Sequence, residues 1–154
     1  LNMQNNKPVV FVDADSCPFK DVIEKICKDF EVPLYFVMNV NHYNDELSYG
    51  EPVMVDDGSQ MVDMYIINHV KAFDVTITQD LSLAALLTPR RVYVLTPRGK
   101  QITEEQVDEI MWRKYVRQTS SPEDKLKGPK ALTEEDRFRL EQSLKKILSN
   151  MKGI

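Results

Sequence analysis

Asp13 and Asp15 stand two residues apart in the stretch FVDADSCPFK, directly after the apolar run Pro8-Val-Val-Phe-Val12. In an extended chain residues two apart project to the same side, so both carboxylates crowd one place. Like charges held that way repel unless a cation or a hydrogen-bond donor lies between them. Asp80 closes Val75-Thr-Ile-Thr-Gln-Asp80, and Asp63 is the one charged residue in Met61-Val-Asp-Met-Tyr-Ile-Ile67. A lone carboxylate among apolar neighbours is costly to bury, which singles out Asp63. An oxygen-only donor set suits a hard cation such as Mg²⁺, which takes one or two carboxylates directly and fills the rest of its shell with water. Each aspartate also has a plain structural role open to it. Asp13 and Asp15 can form a turn or cap cluster, Asp63 can serve the positive end of a helix, and Asp80 can be an N-cap.

Other chemistry-bearing residues give weaker patterns. Cys17 precedes a helix, where a thiolate is favoured, but no histidine is near it in sequence. Cys17 and Cys27 are too few for a zinc site or a disulfide framework. His42 and His69 lack ligand spacing and read as structural or surface residues. With five glycines there is neither a phosphate-cradling loop nor a dinucleotide fingerprint, so no nucleotide cofactor is implied. Arg90, Arg91, Arg98, Lys100, Arg113, Lys114 and Arg117 cluster with Tyr93, Trp112 and Tyr115. Cations with aromatics can hold a phosphate backbone and stack bases. Equally, Tyr93 can point from a strand into the fold and Trp112 can be core. Arg98, in Thr96-Pro-Arg-Gly99, stands out because it follows a strand at the same edge as the aspartates.

The elements that must position these groups alternate. Strands are expected over 8–13, 34–38, 52–55, 75–78 and 92–95. Helices are expected near 18–30, capped by Ser16 or Asp15, near 60–71, opened by the turn cluster Asp56-Asp57-Gly58-Ser59, and near 81–87. Thr103-Glu-Glu-Gln106 matches a capping box that starts a helix to about 115, and Thr133-Glu-Glu-Asp136 starts a last helix to about 150. Its apolar positions are Phe138, Leu140, Leu144, Ile147 and Leu148. Residues 39–44 and 118–130 read as polar loops. The βα period predicts an α/β, three-layer, Rossmann-like fold: a mostly parallel five-stranded sheet with helices on both faces and a helical C-terminal arm. Ligands of such sheets gather at the carboxyl ends of the strands, where Asp13, Asp15, Asp80 and the start of the Asp63 helix all fall.

At 154 residues and 42% apolar composition the chain fits one domain spanning 1–154. Residues 1–7 read as a tag remnant and lead-in ahead of it, and 103–154 as its helical extension. No apolar run approaches the ~18 residues of a membrane span, which with the reduced cysteines gives a cytoplasmic expectation. The net charge of -4 hides an asymmetry: 5 Lys and Arg against 14 Asp and Glu through Thr88, then 15 against 10. An acidic half beside a basic half suits a metal-dependent protein that handles phosphate, and is equally an ordinary surface distribution.

Asp13-Ala-Asp-Ser-Cys-Pro18, Ile77-Thr-Gln-Asp80 with Leu83-Ala84, Pro97-Arg-Gly99, Gly128-Pro129 and Asp136-Arg137 resemble, in order, the signature of the bacterial YaiI/YqxD family. The likeness runs over nearly the whole chain. That family looks like a branch of the PIN-like nuclease superfamily, whose members cut RNA with clustered acidic residues that bind Mg²⁺ or Mn²⁺. The resemblance implies that Asp13, Asp63 and Asp80 are the catalytic acids and that, with Asp15, they are the metal ligands. Gln60 departs from the pattern, since many relatives carry an acid there.

Three functions follow as expectations. In the first, a ribonuclease, one or two Mg²⁺ or Mn²⁺ ions on the four aspartates activate water, while Arg98, Lys100, Arg113 and Arg117 carry flanking phosphates of RNA. A non-catalytic RNA-binding or RNA-processing accessory is the second. The third is a haloacid-dehalogenase-type phosphatase with Asp13 as covalent nucleophile, for which the downstream Lys and paired acids lack clear positions.

Overall fold

A computed structural model describes residues 7–42, 46–58, 60–118 and 131–152, with residues 42, 118 and 152 by backbone alone. The lead-in at 1–6, part of the 39–44 loop, Ser59, and the 119–130 segment with Gly128-Pro129 lie outside the described residues. Among the described residues six strands form one sheet: β1 (Val10–Asp13), β2 (Leu34–Asn39), β3 (Glu51–Val55), β4 (Val75–Ile77), β5 (Tyr93–Leu95) and β6 (Gln101–Ile102). Their order is β3-β2-β1-β4-β5-β6, and all neighbours run parallel except β5 and β6. The expected five strands are therefore six. The addition is two residues long, too short for any alternation to show in sequence.

Among the described residues five α-helices cover the sheet: α1 (Lys20–Asp29), α2 (Met61–His69), α3 (Leu81–Leu87), α4 (Glu104–Gln118) and α5 (Glu134–Lys152). Successive strand residues serve opposite faces. Val10 and Val12 join a core with Val22, Ile23 and Ile26 of α1 and Leu140, Leu144, Ile147 and Leu148 of α5. Phe11 and Val37 join the other core, with Ile66 of α2, Leu83 and Leu87 of α3, and Val107 of α4. The three layers are thus α1 and α5, the sheet, and α2, α3 and α4. The helical C-terminal part is shared between the two outer layers. Each fully buried leucine of α5 contributes about 2 kcal/mol of transfer free energy. Phe138, expected on that apolar face, is instead 60% exposed.

Helix starts differ from expectation where a turn intervenes. Ala14–Ser16 forms a 3-10 turn, so α1 begins at Lys20 after Phe19 and no side chain caps it. Ser16 turns back instead, its hydroxyl donating to the Asp13 carbonyl at 3.2 Å. Helix α2 follows Gln60, again without a side-chain cap. The two capping boxes do form. Thr103 Oγ1 accepts from Gln106 N at 3.4 Å while Gln106 Oε1 accepts from Thr103 N at 3.2 Å. Asp136 and Thr133 exchange the same pair of bonds at 2.9 and 3.2 Å.

Two buried carboxylates are consumed by backbone. Glu24 Oε2 accepts the N–H groups of Ser48, Tyr49 and Gly50 at 2.7, 2.5 and 2.9 Å, and Asp74 accepts those of Val9 and Lys71, both at 2.9 Å. Among the described residues no helix is long and apolar enough to cross a membrane.

Candidate active site

Strand order reverses between β1 and β4, and the carboxyl ends of these neighbours form the crevice where open parallel sheets take ligands. Asp13 ends β1 half-buried, and its Oδ2 accepts a hydrogen bond from Thr78 Oγ1 at 3.0 Å. The same Thr78 hydroxyl accepts the Asp80 N–H at 3.0 Å, so one buried side chain joins the ends of both strands. Asp80 Oδ1 accepts from Ser82 N at 2.9 Å and Leu83 N at 3.3 Å, which makes it the N-cap of α3. Asp63 lies half-buried in the first turn of α2, where the Asp80 and Asp13 carboxyls act on it. Asp15 is exposed on the 3-10 turn, where its Oδ2 lies 3.5 Å from the Asn39 N–H.

The electrostatics record the crowding. Burial pushes the Asp13 carboxyl above its ordinary range; hydrogen bonds from Thr78 and Ser16 oppose that, and the charges of Asp15 and Asp80 add to it. Asp63 is pushed up to about 7, first by burial, then by its hydrogen bond to Asp80 and the charges of Asp80 and Asp13. Both burial and like charge favour the neutral form of Asp63 over its carboxylate. Among the described residues no three His, Cys, Asp or Glu side chains are drawn together closely enough to chelate an ion as they stand. The donor set nonetheless fits a hard cation in its chemistry, being all carboxylate oxygen with surplus negative charge.

The remaining candidates disperse. Arg98, on the loop after β5, donates from Nη1 to Asp136 Oδ2 at 2.8 Å, tying the strand end to the first turn of α5. Next to it, Gly99 adopts φ +82, and a Cβ there would lie 2.4 Å from the Arg139 carbonyl carbon; its own carbonyl accepts from Ser143 Oγ at 2.5 Å. The Pro97-Arg-Gly99 motif is thus a seat for α5. Lys100 is exposed on the same loop. Arg113 pairs with Glu109 one turn back, and Arg117 is exposed near the end of α4. Trp112, open to a core reading, is 64% exposed. Cys17 and Cys27 are buried, and burial pushes their thiols up to about 11 and about 12, so neither is a ready thiolate. His69 stacks on Tyr65 at 3.9 Å; the side chain of His42 lies outside the described residues.

Sequence reasoning passed over the residues that hold the aspartates. Thr78 is one, and its signal is position: the β-branched residue between the buried strand β4 and Asp80. Asn39 is another. It is buried at the end of β2, its N–H faces Asp15, and its Nδ2 donates to Asp57 Oδ1 at 3.2 Å. Gln79 Nε2 donates to the Ser16 carbonyl at 2.6 Å, fastening the turn that carries Asp15 to the end of β4.

Residues 11–150 match the family model described as "Uncharacterized BCR, YaiI/YqxD family". The chain is 44% identical over 153 residues to a UPF0178 protein of Bacillus cytotoxicus, covering 99% of both chains. It is 39% identical to a UPF0178 protein of Bacillus pumilus, covering 99% of this chain and 93% of that one. A UPF0178 protein of Listeria monocytogenes is 33% identical, with 93% of this chain and 97% of the relative covered. No solved structure matches. The chain belongs to the YaiI/YqxD family.

Proposed function

We propose that this member of the YaiI/YqxD family is a metal-dependent ribonuclease of PIN-like type, acting at the crevice between β1 and β4. The observation that carries the reading is geometric: the ends of β1 and β4, joined through the Thr78 hydroxyl, and the first turn of α2 bring Asp13, Asp80 and Asp63 to one crevice, where the charges of Asp80 and Asp13 add to burial in pushing the Asp63 carboxyl up. Structural carboxylates such as Glu24 and Asp74 sit against N–H donors, whereas Asp63 sits against other carboxylates. Asp13, Asp63 and Asp80 would hold Mg²⁺ or Mn²⁺, with Asp15 at the exposed rim. When bound, that ion supplies water activation and charge neutralisation at a scissile phosphate.

This chain's own part is positioning. Thr78 fixes Asp13 relative to Asp80 through one hydroxyl, and the α3 cap holds Asp80 against rotation. Asp63 holds or releases a proton near neutral pH, so cation binding here competes with protons and strengthens as pH rises through about 7. Lys100, Arg113 and Arg117 are the exposed cations available to flanking phosphates, while Arg98 reaches them only by sharing its guanidinium with Asp136.

An accessory that binds RNA without cutting it is favoured by one observation. Asp80 is already spent as a helix cap, with no three carboxylates drawn together among the described residues. The deciding experiment incubates end-labelled single-stranded and hairpin RNAs with the protein in Mg²⁺ and in Mn²⁺, beside an EDTA control and Asp13→Asn. Cleavage that needs the metal and Asp13 establishes the nuclease. Salt-sensitive binding without products moves the assignment to the accessory.

A further inference from the structure

Helices α2 and α3 both start at the crevice, and each brings one acid there: Asp63 in the first turn of α2 and Asp80 as the N-cap of α3. Helix α2 is lightly held for an element that carries a charge among like charges. Only Ile66 of its nine residues is buried, and among the described residues no side chain caps its start at Gln60. Its far end is gripped instead. Arg90, in the 3-10 turn Thr88–Arg90 that directly follows α3, donates from Nη1 to the Ile67 carbonyl at 2.9 Å and from Nη2 to the Val70 carbonyl at 3.2 Å. The last carbonyls of a helix have no partner within it, and a cation there also meets the negative end of the macrodipole. A guanidinium suits the place because its planar fork reaches two acceptors at once. One step on, Phe73 N donates to the Arg91 carbonyl at 2.8 Å, a backbone bond that reinforces the same joint.

We propose that Arg90 is a positioning residue: it pins together the ends of α2 and α3 remote from the crevice and thereby sets the spacing of Asp63 and Asp80. Two prongs joined at one end keep their tips a fixed distance apart only while the joint is rigid. Asp63 lies four residues before Ile67, about one helical turn or ~6 Å along the axis, so play at the joint carries through to the carboxylate. In the sequence Arg90 belongs to a cluster of cations suited to phosphate; in the fold both of its Nη groups turn to carbonyls. The consequence of that spacing for a bound cation rests on the ribonuclease reading, whereas the joint rests on the hydrogen bonds alone.

Cys17 and Cys27 are buried, so spin labels can be directed to cysteines introduced by Met64→Cys on α2 and Ser82→Cys on α3, both exposed positions near the tips. Electron paramagnetic resonance then reads the separation of the two prongs without any metal. Arg90→Ala is expected to broaden that separation, and ethylguanidinium, which fits the vacated place, should narrow it again. Arg90→Lys, which offers a single point donor, should fall between. Binding of Mn²⁺, followed through the loss of the free-ion signal, should weaken about tenfold in Arg90→Ala and recover with ethylguanidinium, as for a lost outer-shell partner. Circular dichroism checks that the helices persist; if Arg90→Ala loses them, Arg90→Lys carries the comparison. An unchanged separation overturns the proposal. So does a broadening that ethylguanidinium leaves in place, which marks a general loosening of the fold. Failure of the two proposals is told apart in the same samples: wild-type protein that binds no Mn²⁺ yet shows the reversible broadening keeps the joint and removes the metal centre, and Mn²⁺ binding with the separation unaltered in Arg90→Ala does the reverse.

Discussion

Asp63 and Asp136 occupy the same local position, the first turn of a helix, where the macrodipole favours a carboxylate. They are nonetheless driven in opposite directions. The carboxyl of Asp136 lies below its ordinary range because the Thr133 N–H bonds it and the Arg98 and Arg139 guanidiniums stand beside it. Asp63 is pushed up to about 7 by burial and by Asp80 and Asp13. One corner joins α5 to the end of β5 with opposite charges and satisfied donors. The other gathers like charges where the strand order reverses. A helix start favours both carboxylates alike, and the neighbours brought by the tertiary fold make one a joint and the other a crowded, strained corner.

The contrast can be broken first at the acidic corner. Asp13→Asn is expected to lower metal-dependent RNA cleavage by more than ~100-fold, since removing a direct ligand should exceed the effect of an outer one. Its melting temperature should stay at or above that of wild type, because a repelling charge is removed. Cleavage at the wild-type rate would overturn the assigned centre. The joint should answer in stability instead. Gly99→Ala forces a Cβ into the α5 backbone at positive φ, with an expected loss of about 3 kcal/mol in denaturant unfolding. An unchanged midpoint would show that α5 has no fixed seat there.

Between these lies Thr78. Thr78→Val keeps the shape but removes the hydroxyl shared by Asp13 and Asp80, and cleavage should fall about 10- to 100-fold, as for lost outer-shell partners. Thr78→Ser should recover most of it; equal loss in both variants would indicate a packing role only. The smallest effect concerns pH. An acid whose pKa is raised by folding binds its proton more tightly folded than unfolded. Its contribution to stability is therefore full below the ordinary value of 3.8 and is lost as pH rises toward about 7. Metal-free Asp63→Asn should melt a few degrees above wild type at about pH 8, and the gap should close by about pH 4. A gap independent of pH would remove Asp63 from the charged cluster.

Much of this molecule is legible along the chain. The βα period, the two capping boxes, the cap at Asp80 and the apolar stripe of α5 are local patterns, set by residues a few positions apart. So is the concentration of acids near strand ends, because in a parallel sheet those ends share one edge whatever the strand order. The two-residue β6 and the uncapped start of α1 escaped, since neither has enough residues for a period or a cap signal. What each charge does was decided by distance in space. Arg98 and Asp136, 38 residues apart, neutralise each other, and Thr78 meets Asp13 across 65 residues. Residue type and spacing determine which groups can carry charge and on which element, but electrostatic energy falls with separation through space, and only the packed structure sets that separation.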